Sequence, residues 1–325
     1  MTRYFIAAVA CIALASVRGA SADEFPSRPI TLIVSFAPGG LTDIPARVLA
    51  PELQKNLGQT VIVENKPGAS GITGGSYVVH APPDGYTLLV SALSEVQNFY
   101  YLKVPYNALS DLDPVGKVVE GPPLVLIVNA KSPYKKLSDL IDYAKSHPDK
   151  INFSTSGAAT TPAITVSQLD LLAGTKIVQV PYKGTGPAAA AVASGDVDAS
   201  FVFYPSAKGL IDGGNLRVLA VTGATRLKNI PNVPTMVELG YKGFVHMAFV
   251  GLSAPHGTPA SVIAKLNAGL NRSIASEAFR SRIEPLGITL PPQPNTPAAY
   301  GHYMAQEAAH QKELAKISGH SLDVH

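Results

Sequence analysis

The sequence predicts an α/β protein of two lobes, each a mostly parallel sheet flanked by helices. Short β-rich runs alternate with helical patterns along most of the chain, and 325 residues suit two lobes better than one. The run Leu124-Val125-Leu126-Ile127-Val128 is typical of a strand buried on both faces. Apolar residues make up 46% of the chain and charged residues 15%, a balance that can bury a sizeable core.

The predicted strands and helices follow one another in regular order. Strands are expected at residues 30–36, 61–64, 87–91, 115–119, 124–128, 151–154, 177–181, 199–203, 216–222 and 249–254. Helices are expected at residues 43–57, 71–80, 137–146, 162–173, 187–194, 205–212, 259–276 and 297–317. The last third of the chain is mainly helical, with a proline-rich connector at residues 290–294.

Two short segments are predicted to join the lobes. One is Glu120-Gly121-Pro122-Pro123, between two apolar strands, and the other lies near Thr222-Gly223. The first lobe would then hold residues 23–122 and 223–325, and the second lobe residues 123–222. Two crossings of this kind describe a hinged clamshell, whose ligands bind between the lobes at the carboxyl ends of strands.

The first 22 residues have the anatomy of a secretory signal peptide. Arg3 precedes an apolar run, and Ala20-Ser21-Ala22 is a small-residue cleavage site. The run of about 13 residues is shorter than the roughly 20 that cross a bilayer, which argues against a membrane anchor. We expect cleavage near Ala22 and no membrane insertion. A lipid anchor at Cys11 is disfavoured because too short an apolar segment precedes it.

The composition of the mature chain excludes several function classes. Cys11 is the only cysteine, so cleavage leaves neither disulfides nor thiol catalysis. It also removes Arg3 and Arg18, leaving 24 basic against 23 acidic residues, a net charge of +1. This nearly neutral net charge argues against binding to nucleic acid or to an anionic membrane surface.

The first strand-to-helix turn, residues 36–43, is a candidate anion site. Glycines let backbone N–H groups approach a ligand, and a helix amino end carries a partial positive charge. The same residues also suit an ordinary tight turn, with Thr42 or Asp43 as the helix cap. The candidate ligand residues here are Phe36, Ala37, Pro38, Gly39, Gly40, Thr42 and Asp43.

Later turns add further candidates. The second turn, residues 154–161, groups hydroxyls around a glycine and offers uncharged donors, although Thr160 or Thr161 could simply cap a helix. The third turn, residues 181–187, loosely matches a dinucleotide fingerprint, but its place in mid-chain argues against a nucleotide. The remaining candidate ligand residues are Ser91, Ser94, Ser154, Ser156, Gly157, Thr160, Thr161, Tyr204 and Phe249.

Motifs typical of catalysis or metal binding do not stand out in the sequence. It has no Gly-x-Ser-x-Gly elbow and no glycine-rich loop ending in Lys-Ser or Lys-Thr. Its histidines are scattered, and His302 and His310 lack an H-E-x-x-H pattern. We therefore expect no enzyme activity, no metal and no cofactor.

The sequence resembles the Bug family of periplasmic solute-binding proteins, which serve tripartite tricarboxylate transporters. The likeness covers essentially the whole mature chain in order. It rests on residues 26–34 with Pro38-Gly39-Gly40-x-Thr42-Asp43, residues 57–69, Ala81-Pro82-Pro83-Asp84-Gly85-Tyr86-Thr87, Val180-Pro181-Tyr182-Lys183-Gly184, Gly195-Asp196-Val197-Asp198, Leu219-Ala220-Val221-Thr222 and Pro231-x-Val233-Pro234-Thr235.

The resemblance implies a periplasmic-binding-protein fold, a periplasmic location, a carboxylated ligand and delivery to membrane permease subunits without catalysis. It also implies that backbone of the first and second turns grips the ligand carboxylate. Family members often carry Ala-Gly-x-Gly-Thr where this chain has Ser156-Gly157-Ala158-Ala159-Thr160, a departure at the second grip. We expect a monomer that binds a di- or tricarboxylate, with Phe36, Tyr204 and Phe249 leaving room for an aromatic one. The alternatives are an exported α/β hydrolase or lyase and a ligand-sensing subunit of a signalling partner.

Overall fold

The computed structural model describes residues 25–317, so the predicted signal peptide lies outside the described residues. The strands are β1 Ile30–Val34, β2 Val61–Asn65, β3 Thr87–Ala92, β4 Leu112–Asn129, β5 Asn152–Thr155, β6 Val178–Pro181, β7 Ala199–Phe203, β8 Leu216–Val221 and β9 Met247–Pro255. The helices are α1 Asp43–Leu57, α2 Ile72–Val79, α3 Leu93–Tyr101, α4 Leu137–Ser146, α5 Thr161–Ala173, α6 Thr185–Ser194, α7 Tyr204–Asp212, α8 Ala260–Ala275, α9 Glu277–Ile283 and α10 Pro297–Ile317.

The strands form one path in the order β2-β1-β3-β9-β4-β7-β5-β6, and β8 also pairs with β4. Strand β1 pairs parallel with β2 and β3, and β5 pairs parallel with β6 and β7. The pairs β3–β9, β4–β9, β4–β7 and β4–β8 are antiparallel. The α/β prediction is therefore confirmed, and the sheets are more mixed than expected.

Strand β4 links the two groups of strands. Its first part, up to Pro123, pairs with β9, while its second part, from Leu124, pairs with β7 and β8. The sequence predicted two separate strands here because a Gly-Pro-Pro segment usually interrupts a ladder. The structure corrects this: one strand continues through the segment, with a register shift between Glu120 and Pro123 and a φ of +68° at Gly121. The predicted lobe limits stay a prediction.

Two helices were missed by sequence reasoning. Helix α3 has its first six residues buried, so it shows little apolar-polar alternation, and Ala92 occupies its N-cap instead of a polar capping residue. Helix α9 follows α8 directly, and Ser276 caps it by accepting a hydrogen bond from the Phe279 N–H. The strands and the other helices lie where the sequence predicts them, within a few residues.

Helices pack on the sheets so that the central strands are buried. All five residues from Leu124 to Val128 have no exposed surface, which confirms a strand covered on both faces. Strands β3 and β7 run directly into a helix, and β1, β5 and β6 lead into one through a turn, so a helix amino end follows the carboxyl end of each of these five strands. This arrangement positions the candidate site.

Candidate functional site

A cavity lies where several of these strand-to-helix turns meet. It encloses about 400 Å³ of space that no atom fills, part of it open to solvent. The lining residues come from four helix amino ends and from the ends of β7 and β9: Phe36, Gly40, Leu41, Thr42, Ala92, Leu93, Ser94, Ser156, Thr160, Thr161, Pro162, Thr185, Phe203 and Ala248.

The first turn presents backbone donors to the cavity. The N–H groups of Gly40, Leu41 and Thr42 donate to no partner within residues 25–317. The Thr42 hydroxyl also lacks a partner in the described chain, although the residue is only 2% exposed. Unpaired donors at a helix amino end favour an anionic or hydrogen-bond-accepting ligand.

A buried carboxylate holds the first turn in shape. Asp43 Oδ2 accepts the Gly39 N–H at 2.9 Å, and both carboxylate oxygens accept from Arg47 Nε at 3.0 Å. Asn65 Nδ2 donates to Asp43 Oδ1 at 2.8 Å and to the Phe36 carbonyl oxygen at 2.9 Å. Gly39 has φ of +81°, a value that favours glycine. The Asp43 charge therefore fixes the loop and does not line the cavity.

The second turn presents hydroxyls instead. Ser156 Oγ donates to Thr160 Oγ1 at 3.0 Å, and Thr160 Oγ1 donates to the Gly157 carbonyl at 2.9 Å. Thr160 is the N-cap of α5, but its side chain makes no capping hydrogen bond. The Thr161 N–H has no partner among the residues described and faces the same cavity. This wall is polar and uncharged.

Contacts across the cleft indicate that the structure is closed. The Ala37 N–H donates to the Lys183 carbonyl oxygen at 2.8 Å. Thr161 Oγ1 donates to Gln97 Oε1 at 3.1 Å. At Gly186 a Cβ atom would lie 2.9 Å from the Pro38 carbonyl oxygen, so only glycine fits there. The first turn thus lies against the third.

The residues that line the cavity carry no charged side chain, and the buried carboxyl group of Glu95 bonds two of them. Among the lining residues there is no Lys, Arg, Asp or Glu. Glu95, on α3, accepts hydrogen bonds from the Ala92 N–H and the Ser94 hydroxyl. Burial raises the pKa of Glu95 to about 7. Because Ser94 donates its hydrogen to Glu95, its hydroxyl offers an acceptor to the cavity.

The structure brings seven of the sixteen predicted residues to the cavity: Phe36, Gly40, Thr42, Ser94, Ser156, Thr160 and Thr161. Gly157 lines an adjoining groove that also contains Phe36, Ser70 and Lys183. Ala37, Pro38 and Gly39 belong to the first turn, but they face Lys183, Gly186 and Asp43 through the contacts described above.

The remaining predicted residues do not line this cavity, and their side chains have other partners. Ser91 Oγ bonds Ser253 and Tyr300, while Ser154 Oγ donates to the Ala188 carbonyl. Tyr204 is buried in a cluster under α6 and α7, and Phe249 packs edge-on against Tyr300 and Tyr303. None of these four residues is among the lining residues of the cavity. Of the three aromatic residues that the sequence suggested for the site, only Phe36 lines the cavity.

Sequence reasoning missed half of the lining. These residues are Leu41, Ala92, Leu93, Pro162, Thr185, Phe203 and Ala248. Most are apolar and carry no chemical signal. Thr185 is the exception, because it carries a hydroxyl and opens α6 at the third turn. Phe203 immediately precedes the predicted Tyr204, so the error there was one residue in register.

The sequence over residues 45–319 matches the family described as "Tripartite tricarboxylate transporter family receptor". This chain belongs to that family. The predicted resemblance is therefore confirmed by a match to most of the chain. In the described part of the chain, none of the helices has the length and apolar character needed to cross a bilayer.

Solved structures of this family share the fold. The periplasmic binding protein BugD superposes with a TM-score of 0.87 at 33% identity, covering 91% of this chain and 99% of BugD. MatC from Rhodopseudomonas palustris, solved with bound malate, gives 0.85 at 33% identity, covering 90% and 100%. The R. palustris protein Rpa4515, solved with adipate, gives 0.85 at 30% identity, covering 91% and 99%. The periplasmic-binding-protein fold is thereby shown.

Proposed function

We propose that this chain is a periplasmic receptor that closes its two lobes around a small dicarboxylate and delivers it to a membrane permease. The observation that carries the proposal is an uncharged cavity bordered by unpaired N–H groups of the first and second turns. Neutral donors and helix amino ends stabilise a carboxylate at little desolvation cost. Malate in MatC and adipate in Rpa4515 are ligands of the same chemical class.

The apolar part of the wall narrows the ligand further. Phe36, Leu41, Leu93 and Phe203 lie beside the polar groups of the two turns. A chain with polar ends and an aliphatic middle fits such a lining, which favours dicarboxylates over citrate-like tricarboxylates. Tyr204 and Phe249 are buried elsewhere, which leaves less support for an aromatic ligand. The binding test below therefore compares an aromatic acid with the dicarboxylates.

Thermal-shift measurements on the mature chain, residues 23–325, test the proposal. The panel contains malate, succinate, adipate, citrate, benzoate and an amine control. A ligand at a hundredfold excess over its Kd should add about 2.7 kcal/mol of stability. We expect the largest shift from a dicarboxylate. If no carboxylate raises the melting temperature, the proposed function is wrong.

Two alternatives have distinct outcomes. Turnover of a bound carboxylate, followed by product analysis, would favour a hydrolase or lyase. Uptake assays separate transport from sensing: deleting the gene should abolish accumulation of the labelled dicarboxylate in cells that retain the permease subunits. Unchanged uptake with a lost transcriptional response would favour a sensing subunit. Light scattering of the purified chain tests the expected monomer.

A further inference from the structure

Glu95 lies directly behind the cavity wall and has no role in the ligand grip described above. It is 3% exposed and sits in the first turn of α3. Its hydrogen-bond partners, Ala92 and Ser94, both line the cavity. A charge on Glu95 would therefore act on a bound anion at short range through a medium of low dielectric.

The hydrogen bonds of Glu95 suit a neutral carboxylic acid. Oε2 accepts the Ala92 N–H at 2.7 Å and the Ser94 hydroxyl at 3.1 Å. Oε1 is buried and has no partner in the part of the chain described. A proton on Oε1 leaves both bonds at Oε2 intact, whereas an ionised group would bury a charged oxygen without a donor.

The groups that face Glu95 from neighbouring elements are uncharged, and of these only the Ser35 hydroxyl lowers the pKa of Glu95, against the larger effect of burial. Ser35 follows β1, Tyr106 precedes β4 and Tyr300 belongs to α10, and all three are neutral. Burial, with a smaller contribution from Glu95, raises the pKa values of Tyr106 and Tyr300, so both stay protonated at neutral pH. Within residues 25–317 no Lys, Arg or His forms an ion pair with Glu95.

Resting on the proposed function, we propose that Glu95 couples ligand binding to proton uptake: the carboxyl is protonated when a dicarboxylate occupies the cavity, and its ionisation opposes binding. The bound anion and an ionised Glu95 would be like charges, with only the lining residues Ala92 and Ser94 between them. Protonation at Oε1 removes that repulsion without moving the Ala92–Ser94 turn. Glu95 is thus a positioning and specificity residue that does not itself contact the ligand.

The pH dependence follows from the direction of the shift. The pKa of Glu95 in the empty protein is about 7, and a bound anion raises it further. Affinity is therefore highest at low pH and falls as pH rises through the pKa of the empty state, at most about tenfold per pH unit. It levels off above the pKa of the bound state. Most carboxyl groups of the ligand are ionised throughout, because ordinary carboxyl pKa values lie near 4.

Calorimetry with malate and adipate tests the proposal. Titrations at about pH 6 and about pH 8, in buffers of different ionisation enthalpy, report affinity and protons taken up. We expect net proton uptake at the higher pH and an affinity roughly five- to tenfold lower there. Glu95→Gln, which keeps the acceptor for the Ala92 N–H, should bind independently of pH, as tightly at the higher pH as the wild type does at the lower.

Asp139→Asn is the matched control. Asp139 caps α4 as Glu95 caps α3, by accepting the N–H of Lys136, but it lies away from the cavity. This variant should keep the wild-type pH dependence. Binding without proton uptake, or a Glu95→Gln variant that retains the pH dependence, overturns the proposal while the proposed function stands. If malate and adipate do not bind, the titrations use the carboxylate that gives the largest thermal shift, and absence of binding by every carboxylate of that panel refutes the two proposals together. If Glu95→Gln fails to fold, proton counting on the wild type decides.

Discussion

The first and second turns meet at one cavity, but different groups hold them in place. The first turn is fixed by the buried Asp43 carboxylate, whose partners Gly39, Arg47 and Asn65 all belong to the same side of the cleft. The second turn is held by a chain of neutral hydroxyls, and its Thr161 hydroxyl bonds Gln97 across the cleft.

Because of this difference, we expect the first turn to contribute mainly to folding stability and the contacts of the second turn mainly to closure of the lobes. Asp43 and its partners lie on one side of the cleft, so we expect the first turn to be ordered before a ligand arrives. The Thr161–Gln97 bond joins the two sides, so we expect it only in the closed form. Changes in the first turn should therefore act mainly on the free energy of unfolding, and changes at the cross-cleft contacts mainly on ligand affinity.

Asp43→Asn should have the largest effect and tests the first half of the comparison. An amide cannot accept all the donors that Asp43 accepts and loses the charge that attracts Arg47. We expect the free energy of unfolding to fall by about 3 kcal/mol, measured by urea denaturation. Asp84→Asn, which breaks an exposed ion pair with Arg28, should change it by less than about 0.5 kcal/mol. Equal effects of both variants would remove the special role of Asp43.

Gly186→Ala should weaken binding without unfolding the protein. Its Cβ would lie 2.9 Å from the Pro38 carbonyl oxygen, a clash that exists only when the cleft is closed. We expect about 2 kcal/mol of lost binding free energy, a fall in affinity of roughly thirtyfold by calorimetry. Gly209→Ala is the control, since a Cβ there meets no atom within 4 Å. Full affinity in Gly186→Ala would show that the first and third turns do not touch in the bound state.

Thr161→Val should have a smaller effect on affinity. It removes the hydroxyl that bonds Gln97 while keeping the side-chain volume, at a cost to the closed form of about 1 kcal/mol. Affinity should therefore fall about fivefold, with little change in the urea midpoint of the empty protein. Thr165→Val, one turn along the same helix, loses only a bond to the Thr161 carbonyl and should bind normally. An effect on stability alone would contradict the comparison.

Phe249→Leu should leave the affinity for every carboxylate unchanged. The ring packs against Tyr300 and Tyr303 behind the cavity, so its loss should lower the free energy of unfolding by about 1 kcal/mol. The measurement pairs urea denaturation with titrations of adipate and benzoate. A selective loss of benzoate binding would restore Phe249 to the site that the sequence predicted.

The sequence carried enough information to predict the fold and the turns that meet at the cavity, but not the full lining of that cavity. Strand-to-helix turns with glycines or hydroxyls have clear chemical patterns, so the first and second turns were predicted. Whether a side chain at a strand end points to the cavity depends on register, and a shift of one residue reverses it. Ser91 and Tyr204 were misplaced for that reason. Asp43 is a polar residue at a helix amino end, so its residue type alone suggested a ligand contact. Its hydrogen bonds to three neighbouring residues show instead that it stabilises the loop.

Strand β4 has a consequence for how the whole molecule unfolds. It donates and accepts hydrogen bonds in the ladders on both sides of the cleft, and no loop interrupts it between them. Melting either ladder therefore exposes one end of a strand on which the other ladder depends. Heat or urea should consequently unfold both lobes in a single cooperative transition, although the ligand is expected to bind between them.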